Sequence, residues 1–372
     1  MKILLFFTYG TSLKDWETAG FIEREAEYYK FLSKEFNIDF LFFTYGDTED
    51  IKIAEKYFNF EVIPIYKYKK NYKNKYLNFL NSFSFPFLIR KMKFDFDILR
   101  TNQLNGSWVS IILKYMTKKP LVIRTGYDIY SFKVKEKKSL IIQKFYFYLT
   151  HVSLRCADIY LSTSMVDISN LSKNFQKYKS KIFYVPNWIH DKSENPNIST
   201  SFDELISVGR LEAQKNYEVL IKNLEKTNYK LNLVGEGFLM EDLKRLAKTL
   251  NVEVNFLGKV DYIKLMDFLK TMKIFISTSI YEGNPKSILE ALNAGCVVVA
   301  NRSENIEEII EHDLNGILFS SEDNNLAKVL DELISDPSKL AYLSNAGFEY
   351  VQQNNALSKI SKLEFQLLKK LI

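Results

Sequence analysis

Short apolar runs alternate with longer amphipathic ones along the chain, the hydrophobic period switching between about two and about 3.6 residues. In the first half, Ile3–Thr8, Ile38–Thr44, Ile98–Arg100, Leu121–Arg124, Asp158–Ser164 and Ile182–Val185 predict strands, and Gly20–Phe36 predicts a helix. A long turn, Gly10 to Gly20, separates the first strand from that helix. After Pro186-Asn187-Trp188 a polar stretch runs to Ser201 and suits a connection between domains. The alternation then resumes. Leu205–Val208, Lys230–Val234, Val254–Leu257 and Ile274–Ser277 predict strands, and Tyr217–Leu224 and Met240–Leu250 predict helices. Repeated strand–helix units of this kind imply parallel sheets covered by helices, here in two consecutive α/β halves.

The second half leads to Ser279–Ala300, SIYEGNPKSILEALNAGCVVVA. A polar turn, Glu282-Gly283-Asn284-Pro285, precedes a helical run Lys286–Ala294, a break at Gly295 and the apolar strand Val297–Ala300. Asn284 suits the N-cap and Pro285 the first helical position. A helix start behind a glycine turn offers free N–H groups and a positive dipole end, a seat for phosphate. Glu282 and Glu290 bracket that start, two carboxylates able to accept from hydroxyls. Phosphates and hydroxyls together suggest a nucleotide sugar.

Composition narrows the class. With 372 residues, 47% hydrophobic, the chain can fill two cores. Cys156 and Cys296 stand far apart in apolar company and read as buried thiols of a cytosolic protein. His151, His190 and His312 are scattered, so no metal-ligand spacing is present. The opening MKILLFFTYG reads as a strand, too short in its apolar run for a signal peptide, and no run reaches transmembrane length. The expected location is cytoplasmic, soluble or peripheral on the inner membrane face.

Charge is unevenly spread. Residues 1–185 carry 30 Lys and Arg against 18 Asp and Glu, a net +12, whereas the remainder is −6. Residues 66–93 hold eight basic and eight aromatic residues and no acid, and 133–148 repeats the mixture. A single-stranded nucleic acid, an anionic membrane surface and a solvated face over aromatic core residues all fit that composition. Recurrence on a second helix favours the membrane. Asp95-Phe96-Asp97 invites a metal reading, but its position before a strand makes Phe96 core and the aspartates loop.

Candidate chemistry gathers at strand ends, where open α/β sheets bind ligands. Gly209-Arg210 follows one strand and Lys215 lies five residues beyond Arg210, a spacing that lets both cations reach one diphosphate. Gly235-Glu236-Gly237 and Gly258-Lys259-Val260 end the next two strands, as ordinary turns or as close approaches to a ligand. In the first half, Arg124, Tyr127 and Asp128 follow a strand end and are candidates to line an acceptor side.

In that order and spacing, GRLEAQKN, VGEGFLMEDL, FLGKV and YEGNPKSILEALNAGCVVVA resemble the donor domain of family 4 retaining glycosyltransferases with the GT-B fold. Glu282 and Glu290 match that family's E-x7-E motif. The resemblance implies two Rossmann-like domains facing each other across a cleft. It puts an acceptor-side domain at 1–187, a donor domain at 188–354 and a final helix, 355–372, returning to the first. It also implies Arg210 and Lys215 on the diphosphate, Glu282 on the donor sugar, Glu290 on the ribose, and backbone groups of Gly283, Asn284, Pro285, Lys286 and Ser287 on sugar and phosphate. Gly209, Gly235, Gly258 and Val260 would line the donor, and Gly20, with Ala19 in place of a usual second glycine, would face the diphosphate. The histidine many members carry at a first-domain strand end is missing between Ile98 and Ser131. The expected activity is hexosyl transfer with retention from a UDP- or GDP-sugar to a glycan or lipid-linked acceptor, with no cofactor, metal or nucleic acid. A GT-B epimerase or phosphorylase, or a non-enzymatic anion-binding module, are the competing readings.

Overall fold

The computed structural model describes residues 1–191, 204–323 and 325–372. It divides into two units, Met1–Val185 with Ser361–Ile372, and Pro186–Ile360. The first contains a seven-stranded parallel sheet: β1 (Lys2–Phe6), β2 (Asp39–Thr44), β3 (Glu61–Pro64), β4 (Ile98–Thr101), β5 (Leu121–Thr125), β6 (Ile159–Ser162) and β7 (Ile182–Tyr184), in the order β3-β2-β1-β4-β5-β6-β7. The second holds β8 (Glu204–Val208), β9 (Lys230–Val234), β10 (Val254–Gly258), β11 (Ile274–Ser277), β12 (Val297–Asn301) and β13 (Ile317–Phe319), in the order β10-β9-β8-β11-β12-β13. Helices cover both faces, so the central strands are near-continuous apolar runs, with Ile3, Leu4 and Leu5 in β1 and Val298 and Val299 in β12 fully buried. Each sheet has one switch point, between β1 and β4 and between β8 and β11. The loops beyond those strand ends are where such sheets take ligands.

Several local expectations change. The expected turn Gly10–Gly20 holds a helix, Leu13–Ala19, started by a capping box between Ser12 and Asp15. Buried Asp50 strengthens that start, accepting from Leu13 N and Lys14 N at 3.1 Å each. Gly20 is the residue that stops it, at φ +76°, which accounts for a glycine there without a ligand. The 133–148 run is split: one helix is Ile129–Lys135 and the next Leu140–Cys156, with Lys137 at φ +52° between them. Phe96 is core and Asp97 accepts from Lys2 N at 2.8 Å, so Asp97 serves the start of β1.

The unit boundaries fall at Val185–Pro186 and Ile360–Ser361, against the expected 187/188 and 354/355. Both shifts have one cause. Ile189 pairs with Ala356, its N–H reaching Asn355 O at 2.9 Å and its carbonyl taking Leu357 N at 2.9 Å, so both passing segments belong to the second unit. The final helix, Leu357–Lys369, carries Glu364 into the first unit. There Glu364 meets Arg100 of β4 at 2.6 Å, both side chains fully buried, and accepts from the Tyr28 hydroxyl. The polar stretch 192–203 lies outside the described residues.

Candidate active site

The site grows from the two loops beyond β8 and β11. The β8 loop runs through Gly209 and Arg210 into a single turn, Ala213–Lys215, and Asn216 at φ +53° passes the chain into the helix Tyr217–Asn223. The β11 loop, Thr278 to Pro285, is laced to it. Ile280 N donates to Gln214 O at 2.9 Å, Gln214 Nε2 to Tyr281 O at 2.8 Å, and Thr278 Oγ1 to Lys215 O at 2.8 Å. These bonds fix where Lys215 can point. Its ammonium lies 2.5 Å from Glu282 Oε1, with the lysine side chain 16% and the glutamate 9% exposed.

Of the residues the sequence singles out, Lys215 and Glu282 are therefore brought together as an ion pair, cation on anion. Arg210 is not with them: its side chain is 72% exposed and lies 3.1 Å from Glu212. Beneath Gly209 sits the Tyr217 hydroxyl, 2.8 Å from where a Cβ on Gly209 would be. Burial holds the Tyr217 phenol well above its ordinary pKa, and the charge of Glu282 adds to the effect.

The strand-end glycines have structural work. Gly235, at φ +137°, donates to Gly258 O at 2.7 Å, and Gly209 donates to Val234 O at 2.9 Å. A Cβ on Gly235 would sit 2.0 Å from Gly209 O, and one on Gly237 2.3 Å from Leu211 O. These glycines let neighbouring strand ends close on each other, a demand that exists before any ligand arrives. Val260 packs its side chain on the hydrophobic cluster containing Val234 and Ile288.

The expected cap at Asn284 is corrected. Helix Lys286–Asn293 has Pro285 as its N-cap, which gives no side-chain hydrogen bond to the first turn. Lys286 and Ser287 are half-buried, and Gly283, Pro285 and Glu290 are buried. Asn284 turns instead toward Asn187: its Oδ1 accepts from Asn187 N at 2.9 Å, and its carbonyl from Asn187 Nδ2 at 2.7 Å. Asn284-Pro285 cannot serve as cap and first turn here because the asparagine side chain is already engaged.

In the first unit, β5 ends at Thr125. The Asp128 carboxylate caps helix Ile129–Lys135, taking Tyr130 N at 3.1 Å and the Ser131 hydroxyl. Burial raises its pKa above the ordinary aspartate value, and those hydrogen bonds offset part of the rise. Tyr127 packs on Phe132 with ring centroids 4.3 Å apart. Arg124 has its Nε buried without a hydrogen-bond partner. Asp128 and Tyr127, expected to line an acceptor side, thus have structural partners of their own: a helix start and Phe132. Among the described residues no group of three His, Cys, Asp or Glu side chains is placed to hold a metal ion.

Sequence reasoning missed Gln214, which laces the two loops, and Asn187, which grips Asn284. Neither spacing nor residue type marks them, because their partners lie 67 and 97 residues away.

Residues 189–350 match the family model of glycosyl transferases group 1. An uncharacterized glycosyltransferase of Methanocaldococcus jannaschii, MJ1069, is 27% identical over 351 residues, 82% of this chain and 86% of that protein. The Campylobacter jejuni enzyme named GalNAc-alpha-(1->4)-GalNAc-alpha-(1->3)-diNAcBac-PP-undecaprenol alpha-1,4-N-acetyl-D-galactosaminyltransferase is 28% identical over 155 residues, 39% of this chain and 43% of that one. For two further curated relatives the match spans 42% of their length. Anabaena HepE in complex with UDP and glucose shares the fold, with TM-score 0.76, 19% identity and full coverage of both chains. The sequence pattern of glycosyl transferases group 1 thus runs through the second unit, and the fold along the whole chain is the GT-B fold of the solved glycosyltransferase structures.

Proposed function

We propose that this protein is a retaining glycosyltransferase that moves a sugar from a nucleotide-sugar donor to a hydroxyl of a lipid-linked glycan precursor. The observation that carries the donor half is the Lys215–Glu282 pair at the switch point of the second sheet, beside an uncapped helix N-terminus. A mostly buried ammonium and the positive dipole end of that helix supply the positive field a diphosphate needs. As the sugar–phosphate bond breaks, charge grows on the leaving oxygen and Lys215 meets it, with Arg210 swinging in from solvent. These two cations and the helix end carry that charge, with no metal in the step. Glu282 holds Lys215 through Oε1. Its Oε2, 3.5 Å from Gln214 Nε2, keeps capacity to accept from a sugar hydroxyl. Glu290, one helical turn further in, is assigned to the ribose. Retention follows if the acceptor oxygen attacks the face the diphosphate leaves, with the departing phosphate oxygen taking its proton.

What supports a lipid-linked acceptor is a surface of the first unit. Helix Lys75–Ser82 exposes Tyr76, Leu77 and Leu80, and helix Leu140–Cys156 exposes Leu140, Ile141, Phe145 and Tyr148. Phe79 and Phe145 join the two helices, ring centroids 6.5 Å apart. Lys73, Lys75, Lys137, Lys138 and Lys144 are exposed around them. Apolar side chains ringed by lysine suit an anionic bilayer surface. No helix among the described residues is long and apolar enough to cross a membrane, so the reading is one of peripheral binding. The UDP in the HepE structure and the undecaprenol-linked substrate in the Campylobacter enzyme's name point the same way.

The test is a panel of UDP- and GDP-sugars scored by thermal stabilisation, followed by release of nucleoside diphosphate with a polyprenyl-diphosphate glycan as acceptor. Stabilisation by one donor and acceptor-dependent release are expected. Failure of every donor to bind sinks the reading.

A further inference from the structure

Asn187 has no role in the chemistry above, yet it is 6% exposed, and its backbone N–H, its carbonyl and its Nδ2 are all engaged. Its backbone N–H and its Nδ2 both go to Asn284, at 2.9 and 2.7 Å. Its carbonyl takes Asn355 Nδ2 at 2.8 Å, and Asn355 is 4% exposed. Asn355 in turn receives Ile189 N at its own carbonyl, 2.9 Å away. The two asparagines therefore sit on the segments by which the chain enters the second unit after Val185 and leaves it at Ile360.

Asn284 lies between Glu282 and the first helical residue Lys286. A two-bond clamp on its side chain and carbonyl fixes the orientation of the peptide units on either side. Those peptides set both the direction of the Glu282 carboxylate and the aim of the first-turn N–H groups. Buried amides in such reciprocal pairs are costly to unmake, because loss of one member strands the other's donor and acceptor. That rigidity is what a preformed anion seat requires.

We infer that Asn187 is a positioning residue for the donor seat: acting through Asn284, it holds the Glu282–Lys286 turn in the geometry that accepts a nucleoside diphosphate, and Asn355 ties that hold to the returning segment. The inference rests on the reading of this turn as part of a donor site, and its test separates the two.

The first measurement is backbone hydrogen exchange across 281–288 in the ligand-free protein. Asn187→Ala is expected to speed exchange there by more than tenfold while leaving the β5 loop, 125–128, unchanged. The second is titration with UDP and with GDP. Whichever the natural protein binds, Asn187→Ala and Asn284→Ala should each weaken it about tenfold, and the double variant no more than either alone, since both remove one shared clamp. Asn187→Asp, which keeps the size but loses the Nδ2 donor, should resemble Asn187→Ala. Unchanged exchange at 281–288 overturns the positioning role whatever the ligand. Faster exchange with unaltered nucleotide affinity overturns its bearing on the donor seat, and leaves only a loop brace. If neither nucleotide binds the natural protein, the donor reading fails, and so does the positioning role built on it.

Discussion

The Lys215 ammonium and the Glu282 carboxylate lie 2.5 Å apart, on loops that follow β8 and β11, and each is held by hydrogen bonds from the other's loop. The pair keeps a cation in a mostly dry position with its charge matched until a more anionic partner arrives. A diphosphate carries more charge than one carboxylate and can draw Lys215 without leaving it unpaired. Arg210 stands in the opposite condition, in water and loosely held to Glu212. Their substitutions should therefore behave differently.

Lys215→Ala should lower turnover by about 100- to 1,000-fold, the scale of a lost transition-state donor, and should also lower stability, because Glu282 is left buried without its cation. Arg210→Ala should lose turnover with stability unchanged, its side chain being in solvent. Combining Lys215→Met with Glu282→Gln should recover stability and no turnover. Steady-state rates beside urea unfolding check all three, and a Lys215→Ala protein of full activity contradicts the assignment.

Asp128 is expected to serve the fold. Asn is as good a cap as Asp, whereas Ala costs about 1 kcal/mol, so Asp128→Asn should keep turnover within about threefold and Asp128→Ala should lose stability. Burial raises this carboxyl's pKa, so folding favours its protonated form. Its contribution to stability is whole below the ordinary aspartate value near pH 4 and is lost as pH rises through the folded value. Asp128→Asn lacks that loss, and its stability relative to the natural protein should increase from acidic to neutral pH. Turnover lost in Asp128→Asn with an intact fold would restore an acceptor role.

The lysine-ringed surface predicts binding to vesicles of anionic lipid that weakens as salt rises. Ile141→Asp and Leu80→Asp, at positions 82% and 64% exposed, should reduce sedimentation with such vesicles without changing the unfolding midpoint. Equal binding to zwitterionic vesicles, or none to either, contradicts the membrane reading.

Arg100 and Glu364 are both fully buried and 2.6 Å apart, so removing one strands the other. Glu364→Leu should cost about 3–5 kcal/mol, and Arg100→Met with Glu364→Leu much less. Denaturant midpoints give both numbers. Equal cost in the single and double variants would show that packing of the final helix, rather than charge, is what matters.

Gly235→Ala should destabilise by more than about 1 kcal/mol, since its φ is +137° and a Cβ would meet a backbone oxygen at 2.0 Å. Gly258→Ala meets nothing nearer than a glutamate side-chain oxygen at 3.8 Å and should be milder. Thermal unfolding of the pair distinguishes close strand approach from ligand contact as the reason for glycine.

The sequence by itself determined the alternation of strand and helix and the two α/β halves, because a parallel sheet buried on both faces writes its strands as unbroken apolar runs such as Val297–Ala300. It also placed Lys215, Glu282 and the helix Lys286–Asn293 at strand ends, since strand ends are legible from the same runs. Tertiary structure decided what each polar side chain does. It gave Asn284 to Asn187 rather than to a helix cap, Asp128 to a helix start, and Glu282 to Lys215. A hydrogen bond is specified by direction over a few ångströms, and residues far apart in sequence reach that range only once the sheets have formed.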